Sequence, residues 1–309
     1  MPRLVFAGSS EFAVPSLAAL AAAGWNVVGV LTQPDRPAGR SRKPVPTPVA
    51  TWARARGLPL QTPESLRDPA AVAALAEWQP EVLVVVDYGL ILPPAVLALP
   101  AAGCINGHAS LLPRWRGAAP IQRALEAGDT ETGVSVMRME RGLDTGPVYK
   151  MQSTGIGADE TGGELRQRLA LMCAELLCAT LPDIVAGRLQ PRPQDDTRAT
   201  RAAKLEPAAA ELDWTRPAPE VARLVRAFAP KPGAWTTWRG QRLKLHRAVD
   251  LPDGEGPPGT VWRAGAEGID VAAGAGSVRL LELQPAGRRV MSAHDFLNGR
   301  ALLGERLGA

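Results

Sequence analysis

The chain is poor in sulfur and imidazole chemistry, with three cysteines and three histidines in 309 residues. Cys173 and Cys178 fall on one predicted helix with no histidine near them, and Cys104 stands alone. No metal-ligand spacing results, and the three read as reduced structural thiols of a cytosolic protein. The start, Met1-Pro2-Arg3 running straight into an apolar strand, lacks the charged, apolar and cleavage regions of a signal peptide. Nor is there a membrane-length run. The most apolar stretch, Val82 to Ala101, is broken by Asp87 and by Pro93 with Pro94, so it reads as strand, loop and short helix of a soluble protein. The first turn, Gly8-Ser9-Ser10, lacks the three-glycine dinucleotide fingerprint, and no Gly-Lys-Ser/Thr phosphate loop occurs anywhere. Those two absences argue against a dehydrogenase and a nucleotide-driven enzyme. No internal repeat links the two halves of the chain.

What is present is ample apolar material, 46% of residues, with 31 glycines and 29 prolines dispersed as loop punctuation. Short buried-looking strands (Arg3–Ala7, Trp25–Thr32, Val82–Val86, Cys104–His108) alternate with helical segments. One of these is announced by Thr47 as N-cap and Pro48 as first helical residue. Alternation of this kind predicts a parallel sheet with helices on its faces. Runs at Val134–Met139 and Val148–Met151 extend the sheet, and a long helical pattern over Glu160–Ala186 closes it. Apolar periodicity then lapses. Beyond a short amphipathic helix at Ala218–Phe228, strands at Ala234–Val249, Gly259–Arg263, Gly268–Ala273 and Ser277–Leu283 are separated by Gly and Pro. The fold class expected is α/β: a Rossmann-like parallel-sheet domain over 1–189, a linker over 190–205, and a small OB-like β-barrel domain over 206–309.

In open α/β sheets ligands bind outside the carboxyl ends of the strands. Cys104-Ile105-Asn106-Gly107-His108-Ala109-Ser110 fits that rule, because a buried strand ends in Asn, His and Ser. Residues two apart in an extended chain point the same way, which presents the Asn106 amide and the His108 imidazole together. On spacing alone the pair reads equally as a capping asparagine and a structural histidine. The loop from Ser110 to Pro120 has no regular period yet carries two leucines and a tryptophan, a composition more typical of a working loop than of a connection. Gly142-Leu143-Asp144-Thr145-Gly146-Pro147 sets one carboxylate between glycines; by itself it reads as a turn former.

Taken together, Gln33 to Arg40, the Asn106 to Ser110 strand end, the Ser110 to Pro120 loop and Leu143-Asp144-Thr145-Gly146 resemble the methionyl-tRNA formyltransferase family. The likeness runs on through Ala227-Phe228, Leu283-Gln284-Pro285-Ala286-Gly287 and Met291-Ser292-Ala293. The Asn, His, Asp set and the Ser-Leu-Leu-Pro loop are shared by folate-dependent formyltransferases generally, and the second domain narrows the match. The resemblance implies formyl transfer from 10-formyltetrahydrofolate to the α-amino group of methionyl initiator tRNA, in the cytoplasm, with no metal. It implies catalytic roles for Asn106, His108 and Asp144. Ser110, Leu111, Leu112 and Pro113, with the Tyr88 to Leu92 turn, would wall the pterin pocket. A carboxylate beside His108 would favour its imidazolium form. Asp87, Gly107 and Ala109 depart from the family's usual residues, and Asp87 bears on the pocket's charge.

The formal charge of +4 is mild, but local patches are not. Arg36, Arg40, Arg42 and Lys43 crowd a Pro-rich loop opposed only by Asp35, which suits contact with a tRNA acceptor stem or, equally, a solvated loop. In the second domain Arg216, Arg223, Arg226, Lys231, Arg239, Arg242, Lys244 and Arg247 are opposed in the local sequence only by Glu220. Alternation in Arg242-Leu243-Lys244-Leu245-His246 predicts cations on the outer face, with His246 among them, and leucines in the core. His294 follows a predicted helix start at Ser292 and carries no chemical signal. The sequence points to no membrane and to no obligate protein partner.

Overall fold

The computed structural model describes residues 2–37 and 43–308. They form two compact units that interleave along the chain. One gathers the chain up to Gly117 with Gly133–Thr154 and Arg166–Arg201, and the other gathers Ala118–Thr132, Gly155–Leu165 and the chain from Ala202 onward.

The first unit is built on a seven-stranded sheet in the order Val148–Gly155, Glu131–Arg138, Cys104–His108, Val82–Val86, Arg3–Gly8, Asn26–Leu31, Leu60–Gln61. From Cys104–His108 to Leu60–Gln61 every neighbour is parallel. Val82–Val86 and Cys104–His108 are buried at every position, which is why Val82–Val86 reads as an unbroken apolar run and not as an alternating one. Glu131–Arg138 runs antiparallel to Cys104–His108, so the parallel core carries an antiparallel margin. The Pro48–Arg54 helix starts as its sequence dictates, with the Thr47 hydroxyl accepting from the Ala50 N–H at 3.0 Å and Pro48 in the first turn. Burial pushes the Cys104 and Cys173 thiols up to about 12, so both are protonated, unreactive core groups.

The second unit packs the Ala218–Phe228 helix, apolar along Val221, Ala222, Leu224, Val225 and Phe228, beside an antiparallel sheet. The sheet order is Ala234–Trp238, Gln241–Leu251, Ser277–Pro285, Gly268–Ala272, Val261–Gly265, with Met291–Ser292 pairing on Ser277–Pro285. The run expected as one strand over 234–249 is a hairpin. Arg239 and Gly240 both take positive φ (50° and 71°), which turns the chain in two residues between Trp238 and Gln241. Ser292 caps the Ala293–Leu297 helix by accepting from the Asp295 N–H at 3.0 Å.

Candidate active site

Asn106 and His108 lie on the same side of their strand, and both are nearly buried. Gly107 between them faces the other way, onto the Gly162–Val185 helix. A β-carbon there would lie 2.5 Å from Cys173 Sγ and 3.3 Å from Leu177 Cδ1, so glycine at 107 answers the thiol at 173. Val85 pairs with Asn106, which brings the Asp87–Leu92 turn and the end of the His108 strand to one edge of the sheet.

Asp144 arrives from the antiparallel margin. Arg138 pairs with Ile105, and the loop that follows returns to the sheet where the Arg138 N–H donates to Pro147 O at 2.9 Å. Within it, Gly146 packs so tightly that a β-carbon would overlap Arg138 O. Asp144 itself takes a left-handed φ of 52°. Its carboxylate accepts from the Asn106 amide (3.4 Å) and from the Gly117 N–H (2.9 Å), and lies 3.7 Å from His108 Nδ1. The three residues singled out from sequence therefore converge on one carboxylate.

The other imidazole nitrogen fixes the ring. His108 Nε2 is 2.9 Å from Trp115 O. A carbonyl oxygen can only accept, so this bond places a proton on Nε2 and turns Nδ1 toward Asp144. Trp115 is held in place by its own loop, where the Ser110 hydroxyl donates to Arg114 O (2.6 Å), Ser135 Oγ donates to Ser110 O (2.7 Å) and the Leu112 N–H donates to Ser135 Oγ (3.1 Å). Leu112 is buried with Met137 and Val148, Leu111 is half-buried, and Leu112-Pro113 is a cis peptide. In the Tyr88–Leu92 turn, Tyr88 and Leu92 are buried. Ile91 there and Leu143 beside Asp144 are each 73% exposed, apolar surface left uncovered at both loops. Asp87 is not a free charge: Arg166 bridges it at 2.5 Å, and Ser10 donates to it.

A profile described as "Formyl transferase" matches residues 2–181, and one described as "Formyl transferase, C-terminal domain" matches residues 204–301. Methionyl-tRNA formyltransferase of Xanthomonas euvesicatoria is 54% identical over 300 residues, covering 96% of this chain and 97% of that protein. That of Stutzerimonas stutzeri is 52% identical over 298 residues, covering 96% and 95%. The chain belongs to the methionyl-tRNA formyltransferase family. Among solved structures, WlaRD, a sugar 3N-formyl transferase, superposes with a TM-score of 0.68 at 14% identity over 94% of this chain and 99% of its own, a likeness of fold.

The basic regions differ from their sequence-based description. Arg36 and Lys43 are exposed at a two-residue ribbon, Arg36–Pro37 with Pro44–Val45, while Arg40 and Arg42 lie outside the described residues. Asp35, the one acid of that loop, pairs with Arg54 at 3.5 Å. In the second unit the cations are not opposed by Glu220 alone. Arg239 pairs with Glu305 (2.5 Å), Arg247 with Glu164 (2.5 Å) and Glu282 (3.8 Å), and Arg216 with Glu220 (2.7 Å). Those acids, Glu220 apart, come from distant sequence, which a local charge tally cannot find. His246 is also not on the outer face. Leu245 pairs with Leu283 and Arg247 with Glu282, so His246 is the extra residue of a bulge and turns inward.

Sequence reasoning missed three supports of the site: the Trp115 carbonyl, the Gly117 N–H and Gln194. Gln194 Nε2 donates to Asp144 O (2.8 Å) and Gly146 O (2.7 Å). The first two are main-chain groups that any residue carries. Gln194 sits in a Pro-rich stretch without periodicity, where nothing local marks it.

Proposed function

We propose that the protein transfers the formyl group of 10-formyltetrahydrofolate to the α-amino group of methionyl initiator tRNA, with Asn106, His108 and Asp144 as catalytic residues. The observation that carries this reading is the orientation of His108, anchored through Nε2 so that Nδ1, the Asn106 amide and the Asp144 carboxylate share one point. When the amine attacks the formyl carbon, a tetrahedral species forms with negative charge on oxygen. The Asn106 N–H and a protonated His108 Nδ1 are the donors aimed at that charge. The new C–N bond leaves the attacking nitrogen with a surplus proton, and the folate nitrogen needs one as its C–N bond breaks. Asp144 accepts the first proton and returns it to the second nitrogen. Held by two N–H donors with the His108 ring 3.7 Å away, it is suited to that relay.

Ser110, Leu111, Leu112 and Pro113, with the Tyr88–Leu92 turn, wall the folate pocket in this reading. The uncovered Ile91 and Leu143 suit a flat, partly apolar ring. WlaRD was crystallised in the presence of dTDP and 5-N-formyl-THF, and folate as donor fits the family. Arg36, Arg40, Arg42 and Lys43 contact the tRNA, and the domain over 206–309 supports it through the cations left on its face, with Arg242 stacked 3.9 Å over Trp235. In this reading residues 1–189 carry the catalytic groups, and 190–205 lead from them to the second domain. The setting is the cytoplasm, at translation initiation, and no helix of the described residues is long and apolar enough to cross a membrane.

The test is formyl transfer from 10-formyltetrahydrofolate to charged initiator methionyl-tRNA, beside a small-amine acceptor, at two salt concentrations. Salt-sensitive transfer to the tRNA alone is expected. Transfer to the small amine alone would keep the chemistry and sink the tRNA assignment.

A further inference from the structure

The segment 192–200 lies between the two profile matches, which end at 181 and begin at 204. It is laid across both loops of the site. At its start, Arg192 and Val148 exchange two main-chain bonds of 2.8 Å. Gln194 then spends both amide protons on the Asp144 loop, one on Asp144 O (2.8 Å) and one on Gly146 O (2.7 Å). Its Oε1 accepts from Arg116 Nε (3.0 Å) and Nη2 (2.9 Å). Carbonyls only accept and guanidinium groups only donate, so these four bonds permit one orientation of the amide. At the far end, Thr200 Oγ1 accepts from the Trp115 N–H (2.9 Å), and Thr200 O accepts from the Arg116 N–H (2.9 Å).

The two loops so tied are the ones that matter to the chemistry. Trp115 supplies the carbonyl that orients His108, and Gly117, next to Arg116, donates to the Asp144 carboxylate. Asp144 stands at a φ of 52°, in the left-handed region that few non-glycine residues occupy and that aspartate tolerates better than most. Gln194 grips the carbonyl of that very residue. We infer that Gln194 is a positioning residue for formyl transfer, a clamp that holds the Asp144 loop against the Trp115–Gly117 loop. The inference rests on the catalytic reading of Asp144 given above. It assigns Gln194 no contact with substrate and no proton of its own to move.

The experiment uses the full-length chain carrying Gln194→Met, which keeps the length of the side chain and removes all four bonds. The expected result is a fall in kcat of about 10- to 100-fold, since small displacements of a catalytic group are that costly, with both KM values within about threefold. Amide exchange over residues 140–147, read by mass spectrometry, should quicken. In an Asp144→Asn background the same substitution should cost less than about threefold, because a clamp with nothing to position has nothing left to lose. Gln194→Glu, equal in size but turning oxygen toward the two carbonyls, is measured in parallel in case Gln194→Met folds poorly, and it should lose kcat alike. An unchanged kcat, unchanged exchange over 140–147, or losses that simply multiply with Asp144→Asn would each overturn the clamp. Should the unsubstituted protein transfer no formyl group, the catalytic reading fails instead, and the exchange data still decide whether Gln194 holds the loop.

Discussion

His108 and His246 are hidden to almost the same degree, at 7% and 8% exposure, yet they occupy opposite chemical situations. His108 ends a regular strand and has a carbonyl on one nitrogen and a carboxylate 3.7 Å from the other. His246 is buried by a bulge, and its Nε2 lies 3.3 Å from the neutral Gln284 side chain. Burial first, and the nearby Lys244 charge in addition, hold its pKa below the ordinary value, outweighing the Gln284 bond and the Glu282 charge. Burial alone does not set a histidine's surroundings. What distinguishes the first is an acceptor on each side, one to fix the tautomer and one to share the proton.

The contrast breaks most directly through activity. Asp144→Asn and His108→Ala should each lower kcat by about a hundredfold or more, measured by single-turnover formyl transfer, whereas His246→Gln should leave it within about twofold. If His246→Gln matched the loss at His108, the division between the two rings would be wrong. A finer cut separates the two nitrogens of His108. Asparagine at 108 places its amide near the Nδ1 position and glutamine near Nε2, so His108→Asn should retain about tenfold more kcat than His108→Gln.

The reverse face of the His108 strand offers a stability test. Gly107→Val should cost about 1–3 kcal/mol in urea unfolding through overpacking against Cys173 Sγ, and Cys173→Ala should recover much of that loss. A Gly107→Val penalty untouched by Cys173→Ala would place the strain elsewhere. The smallest effect belongs to His246. Its folded pKa lies below the ordinary 6.5, so the unfolded chain binds the proton more tightly and stability rises with pH. That contribution is complete above about 6.5 and is lost as pH falls toward the depressed value. Melting temperature should therefore decline between about pH 7 and 5, and His246→Gln should flatten that decline slightly.

Much of this architecture is legible in the sequence where one residue pattern has one physical solution. Val82–Val86 is apolar throughout because both sheet faces are covered, and the Ala218–Phe228 helix follows from a 3.6-residue stripe ended before Pro230. Asn106 and His108 were readable as a same-side pair because strand geometry leaves no alternative. The failures share one cause, which is distance along the chain. Nothing within Arg242–Arg247 announces that the partner strand is one residue short, so the inward turn of His246 is invisible locally. Glu305 neutralises Arg239 from 66 residues away. The hairpin at Arg239-Gly240 was hidden for a milder reason: Arg-Gly lacks the Asn-Gly or Asp-Gly signature of such turns.

The path of the chain after the long helix has a practical meaning for anyone dividing the protein. Asp144 is tied to Gln194 across 50 residues, and Arg116 to the same side chain across 78. A fragment ending at the last residue of the first profile match, 181, would contain Asn106, His108 and Asp144 and none of the bonds from Gln194 or Thr200. A piece that keeps these supports must run through Thr200, so the stretch that looks most expendable is one the site depends on.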